Sequence, residues 1–261
     1  MRGRRAGHGH ARRAAELSDS ILLVAGLGQG PWAWRWVEPL LPEARVFTAR
    51  GTGELADVPA RRSIHEMAAD VAGLLDGTPT HLVGLSMGGY VSLTLALARP
   101  ELVRSLYLIG TGPGGPDRVP RPTHIREAYE AAVTLPVGEY ERATQPLSLA
   151  PGWPDANPER FEEILEARIA DNATLDTMWA HIEACYGYYD AGVQVERIEA
   201  PAFVLHGSAD VVVPPENGRM LAARLPNARY EELEGAGHNL PLELPEEIAQ
   251  RIEAWVSDAS L

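Results

Sequence analysis

Gly84-Leu85-Ser86-Met87-Gly88-Gly89 constrains this chain more than any other stretch, because of what flanks it. Thr80 to Leu85 reads as a short buried strand, and Tyr90 to Arg99 continues as an amphipathic helix that ends before Pro100. A Gly-x-Ser-x-Gly between a strand and a helix is the pattern of a sharp turn that presents a serine. On so tight a turn the serine backbone is strained, and a side chain two residues before or after it would clash. The turn lifts the hydroxyl clear of the sheet, and the amino end of the following helix favours negative charge nearby. The pentapeptide alone also suits a purely structural Gly-rich turn, so its meaning depends on the rest of the chain.

A hydroxyl nucleophile needs a base, and the base needs an orienting acid. After such a turn the expected chain order is serine, acid, histidine. Pro201 to Gly207 reads as a second buried strand, and Asp210 lies just past its carboxyl end. Open α/β sheets place their functional groups at that edge. Ala228 to Leu233 reads as another strand, followed by Glu234-Gly235-Ala236-Gly237-His238-Asn239, a loop carrying a histidine among small residues. Ser86, Asp210 and His238 are therefore the expected catalytic residues, all at carboxyl ends of predicted parallel strands.

The remaining elements alternate. Ile21–Ala25 reads as a central strand, and Pro31 opens a predicted helix through Leu41, since proline suits the first helical turn. Val46–Ala49 is a predicted strand, and Ser63 with Glu66 forms a capping box for a helix to about Leu75. Ser105–Gly110 is a further strand, and Pro215–Leu225 and Pro245–Ser257 are the last helices. Strands alternating with helices argue for an α/β class with a mostly parallel sheet covered on both faces. Between Thr111 and Ala200 the pattern changes to Pro/Gly clusters and helical runs at His124–Leu135, Pro158–Asn172 and Leu175–Tyr189. We expect residues 112–200 to form an inserted helical cap over a core made of 21–111 and 201–261. Cap aromatics such as Trp153 and Trp179 are candidates for the pocket, though most aromatics there are expected to pack the cap on the core. The cap histidines His124 and His181 are candidates for substrate contact only by their location, and read more simply as helix-surface residues.

Composition excludes several function classes. The 261 residues carry a formal charge of −13, which argues against nucleic acid or an anionic membrane as the main partner. No apolar run approaches the roughly 20 residues of a membrane span, and a cytoplasmic location is expected. Every basic side chain is an arginine, so any mechanism needing an active-site lysine is excluded. Cys185 is the only cysteine, so no internal disulfide is possible, and it reads as a small filler in a helix. No His/Cys/carboxylate cluster has metal-ligand spacing and no Gly-rich loop fits a dinucleotide, so neither metal nor cofactor is expected. Residues 1–20, with Arg2, Arg4, Arg5, Arg12 and Arg13, lack the apolar core of a secretory signal and read as a basic disordered tail.

Four segments carry a family resemblance: Leu22-Leu23-Val24-Ala25-Gly26-Leu27, the serine turn, Gly207-Ser208-Ala209-Asp210 with Val213-Pro214-Pro215, and Gly235-Ala236-Gly237-His238 with Glu243-x-Pro245. The chain resembles the α/β-hydrolase superfamily from about Ile21 to Val256. Gly26 to Trp34, with Gly30, Trp32 and Trp34, is similar to small esterases of the methylesterase and hydroxynitrile-lyase group. The resemblance implies an α/β-hydrolase fold and an oxyanion hole from the backbone N–H groups of Leu27 and Met87. It also offers Asp117 as a substitute acid, because some members place the acid after the preceding strand. Members usually form a β-hairpin from their first residues, so the sheet edge here is expected to be truncated. Where the family has a histidine before the oxyanion glycine, this chain has Ala25, which implies a differently braced loop. Gln29 stands where a second histidine is common and is a candidate for substrate contact, as is Trp32. Lysine-dependent hydroxynitrile lysis is disfavoured.

These readings converge on a cofactor-independent serine hydrolase acting on a small-molecule carboxylic ester, lactone or thioester, as a monomer or homodimer. A biosynthetic cyclase or lyase with the same constellation, and a ligand-binding relative with little turnover, are the alternatives.

Overall fold

The structure, a computed structural model, describes residues 20–259 apart from residue 172. Its strands are β1 (Ile21–Val24), β2 (Ala44–Phe47), β3 (Thr80–Leu85), β4 (Val103–Ile109), β5 (Ala202–Gly207) and β6 (Ala228–Leu233). They form one sheet in the order β2-β1-β3-β4-β5-β6, with every neighbouring pair parallel. Helices α1 (Ile64–Leu75) and α2 (Met87–Ala98) belong to the first half. Between β4 and β5 lie α3 (Thr123–Ala132), α4 (Val137–Thr144), α5 (Trp153–Ala156), α6 (Pro158–Ala170) and α7 (Leu175–Ala191). The chain continues through α8 (Pro215–Arg224), α9 (Leu240–Glu243) and α10 (Pro245–Ala259).

Successive side chains along the central strands enter opposite cores. Leu22, Val24, Leu82, Leu106, Leu108 and Val204 pack on one face with residues of α1, α2 and α8. Leu23, Val83, Leu85, Tyr107, Ile109 and Leu205 pack on the other with Trp34 and residues of α10. Helices cover both faces, which is why these strands read as continuous apolar runs. Each fully buried side chain of this kind contributes about 1.5–3 kcal/mol. The edge strand β6 carries Glu231 and Glu232 and is only partly buried, as an unpaired edge requires.

Sequence and structure agree on most elements. Ser63 caps α1 as its spacing predicts, its hydroxyl oxygen accepting the Glu66 N–H at 3.2 Å. One predicted element takes a different form. The predicted helix from Pro31 to Leu41 is two short 3-10 segments, Pro31–Trp34 and Glu38–Leu40. Pro39 explains the break, since inside an α-helix it removes a donor and clashes with the carbonyl four residues earlier. Helices α4 and α5 were not anticipated from the sequence pattern. The basic tail and the expected truncated hairpin edge fall on residues outside the described part. Among the described residues no helix is long and apolar enough to cross a membrane.

Candidate active site

Ser86 follows β3 and precedes α2 at φ 53°, ψ −114°, a strained conformation for a residue with a side chain. The end of β4 and the residues just after it hold Ser86 from both sides. The Ser86 N–H donates to Ile109 O at 2.8 Å, and Thr111 Oγ1–H donates to Ser86 O at 3.0 Å. The flanking glycines are required by packing. A Cβ on Gly84 would lie 2.6 Å from Gly88 O, and one on Gly88 would lie 2.1 Å from Val24 O.

Asp210 follows β5, and His238 follows β6. His238 Nδ1–H donates to Asp210 Oδ2 at 2.7 Å. The other carboxylate oxygen, Oδ1, accepts the N–H groups of Val212 at 2.8 Å and Val213 at 2.9 Å. His206, fully buried on β5, donates from Nε2 to Val213 O at 2.9 Å and lies 3.2 Å from Asp210 Oδ2. Burial alone would raise the Asp210 carboxyl. The charges and hydrogen bonds of His238 and His206 outweigh that and hold it well below the usual carboxylate range. It is therefore ionised at neutral pH.

The His238 loop is pinned from the inserted helical segment. Ser148 O accepts the N–H groups of His238 at 3.1 Å and Asn239 at 2.9 Å. Asn239 Nδ2 donates to Ser148 Oγ at 2.8 Å. Glu243 Oε2 accepts the N–H groups of Gly237 at 3.0 Å and Ala150 at 3.1 Å. Burial pushes the Glu243 carboxyl up to about 7 in spite of these donors, with Asp210 nearby adding to the rise.

The loop after β1, which follows Ala25, is braced by the side chains of Gln29 and His181. Gln29 Oε1 accepts the Gly26 N–H at 3.0 Å, and Gln29 Nε2 donates to Asn239 Oδ1 at 3.2 Å. His181, from α7, accepts the Gly28 N–H on Nδ1 at 3.0 Å. Burial pushes the His181 imidazole down to about 4, so at neutral pH Nδ1 is free to accept. The N–H groups on either side of Leu27 are thus tied off, and Leu27 itself lines the cavity. The Met87 N–H opens α2, where no preceding turn supplies an acceptor.

Ser86, His238, Leu27 and Gln29 all border one cavity of about 510 Å³. Trp179 lies at its wall, half exposed. Trp32 and Trp153 do not reach it. Trp32 is buried with the Arg168 guanidinium over its ring at 5.6 Å, and Trp153 packs against the sheet-face core. His181, read as a helix-surface residue, is instead fully buried. Its sequence signal is weak, because its partner is a backbone N–H on a distant loop. Cys185 is buried as expected, and burial pushes its thiol up to about 12. Asp117 is exposed, whereas Asp210 is buried and bonded to His238. Ser148, Asn239 and His206 were missed as site residues, and His181 braces the loop after β1 instead of touching the cavity. Among the described residues no group of three or more His, Cys, Asp and Glu is placed to hold a metal.

The model of the alpha/beta hydrolase family matches residues 21–251. The chain belongs to the alpha/beta hydrolase family. It is 31% identical over 242 residues to the proposed carbamate hydrolase RutD of Pseudomonas savastanoi pv. phaseolicola, covering 88% of this chain and 91% of that one. The protein of the same name from Azorhizobium caulinodans is 32% identical over 227 residues, covering 84% and 83%. Among solved structures, a thermophilic esterase from Thermogutta terrifontis matches with a TM-score of 0.76 and 27% identity, over 93% of this chain and 91% of that one. An enol-lactonase from Burkholderia xenovorans LB400 shares the fold, with a TM-score of 0.76 and 23% identity over 92% of each chain. As an alpha/beta hydrolase, the chain carries a parallel sheet flanked by helices, with its cavity between the sheet edge and the helices that follow β4.

Proposed function

We propose that this protein is a serine hydrolase that cleaves a carboxylic ester, lactone or thioester through an acyl-enzyme on Ser86. One observation carries the reading: a strained serine and a histidine hydrogen-bonded to a buried carboxylate border the same cavity. Ser86 Oγ attacks the substrate carbonyl carbon while His238 Nε2 takes its proton. Asp210 holds the imidazole through Nδ1 and stabilises the cation that forms. The Leu27 and Met87 N–H groups donate to the developing oxyanion, an effect of a few kcal/mol per donor in a water-poor site. His238 returns the proton to the leaving oxygen or sulfur, and the acyl-enzyme forms. Water then gives a proton to His238 and attacks the acyl carbon, releasing acid and free Ser86. Residues 112–200 act as the cap that limits access to this chemistry.

A carbamate substrate is the second reading, favoured by the name shared by relatives at 31% and 32% identity. It calls on the same acyl transfer. The test is labelling by a fluorophosphonate probe, wild type beside Ser86→Ala, followed by turnover of p-nitrophenyl esters and a p-nitrophenyl carbamate. Labelling of wild type alone, with turnover, is the expected result. An unlabelled wild type with no turnover would favour a binding protein or a cyclase.

A further inference from the structure

Four arginines line the cavity, in a chain whose net charge is −13. Two of them are neutralised: Arg126 pairs with Glu130 at 2.7 Å, and the partly buried Arg168 pairs with Glu141. Arg118 and Arg121 are different. Among the described residues neither has a carboxylate within 4.0 Å. Arg118 lies over the Tyr189 ring at 4.8 Å, and Arg121 over the Tyr129 ring at 4.7 Å. Arg121 Nε–H also donates to Val212 O at 3.1 Å, two residues beyond Asp210.

The rings beneath these guanidinium groups do not cancel their charge. Burial pushes the Tyr129 and Tyr189 hydroxyls up to about 12, so both remain neutral near pH 7. The nearby Cys185 thiol is held neutral in the same way. Asp210 is ionised, but its oxygens are already engaged by His238, His206 and two backbone N–H groups. Contact with a tyrosine ring holds each guanidinium in place, and its N–H donors can still reach a ligand. Partly buried cations without counter-ions in a cavity are costly unless a ligand supplies the anion.

We propose that Arg118 and Arg121 form an oxyanion subsite of this cavity, which takes substrates bearing a carboxylate or phosphate group besides the bond that is cleaved. The inference rests on the serine-hydrolase reading for the cleavage step but not for the binding. It makes the neutral acyl and alcohol groups of ordinary test esters poor mimics of the substrate.

The test has two arms. In the first, kcat/KM is measured for methyl hydrogen adipate and 4-acetoxybutanoate, each beside its neutral methyl ester. Wild type should prefer at least one charged ester about tenfold or more, the gain typical of a charge-assisted hydrogen bond. Arg118→Gln and Arg121→Gln should each reduce that ratio about tenfold, and Arg121→Lys, which keeps the charge, should reduce it less. In the second arm, wild type is titrated calorimetrically with adipate, its neutral diamide adipamide, and butyl phosphate. Binding of adipate or butyl phosphate but not adipamide, lost in Arg121→Gln and weakened by salt, supports the subsite and tells carboxylate from phosphate. Labelled serine and ester turnover, with no preference for charge and no anion binding, would overturn the subsite and leave the hydrolase reading standing. Anion binding that depends on both arginines in a protein without turnover would do the reverse.

Discussion

The Gly28 N–H donates to His181 Nδ1 at 3.0 Å, joining the loop after β1 to a helix of the inserted segment 153 residues further along the chain. With alanine at position 25, where the resemblance implies a histidine, this bond from α7 braces the loop. It also makes the position of the Leu27 N–H depend on the docking of α7.

We expect His181→Phe to leave the Gly28 N–H without an acceptor in a buried place, at a cost of about 1–3 kcal/mol in stability. Turnover should fall about tenfold or more with KM changed much less, because Leu27 is proposed to act on the transition state. Thermal melts and ester kinetics check this. A variant with wild-type kcat would show that the brace does not position the oxyanion loop.

Acid should loosen the same brace. The imidazole is pushed down from 6.5 to about 4 in the fold, so between those values the unfolded chain binds the extra proton. Stability contributed by neutral His181 is present above pH 6.5 and is lost as pH falls towards 4, by up to about 3 kcal/mol. The slope of melting temperature against pH on the acid side should be shallower in His181→Phe than in wild type.

Glu243 acts in the opposite direction. Its carboxyl is raised from 4.5 to about 7, so the folded state holds the proton longer. The stability of the protonated form is present below pH 4.5 and is lost as pH rises through about 7. Glu243→Gln keeps an acceptor for the Gly237 and Ala150 N–H groups without the titration. Its melting temperature should decline less between pH 5 and 8, and an unchanged slope would count against the assignment.

Gly218 is a steric test of the Asp210 support. A Cβ there would meet His206 Nδ1 at 2.3 Å, and His206 is held by Val213 O on its other nitrogen. We expect Gly218→Ala to cost about 1–3 kcal/mol and to lower turnover by displacing His206 from Asp210. Gly187→Ala is the control, since nothing lies within 4 Å of a Cβ at that exposed position in α7. That change should be neutral or stabilising by up to about 1 kcal/mol.

The two candidate acids separate cleanly. Asp210→Asn should lower kcat by on the order of 10³–10⁴ while the protein stays folded, by unsettling the tautomer of His238. Asp117→Asn, at an exposed position, should leave kcat near wild type. Full activity in the Asp210 variant would remove it from the mechanism.

What the sequence determined by itself was whatever short-range sterics and periodicity decide. Gly84 and Gly88 are demanded by backbone atoms of their own turn and of β1, so a glycine pattern was enough to locate Ser86. The apolar runs of β1, β3, β4 and β5 announced strands buried on both faces, and their order placed Asp210 and His238 at one sheet edge. The break of the expected Pro31–Leu41 helix marks the limit of periodicity, since Pro39 ruled out the regular ladder that the apolar spacing suggested. Only the tertiary structure decided which polar groups meet. Gln29 reaches Asn239 across 210 residues, and Asn239 reaches Ser148 across 91. It also decided that Arg126 and Arg168 find carboxylates while, among the described residues, Arg118 and Arg121 line the cavity without one. Hydrogen bonds and ion pairs of this kind are short-ranged in space but unrestricted along the chain, so their partners are fixed only once the sheet and the inserted helices have packed.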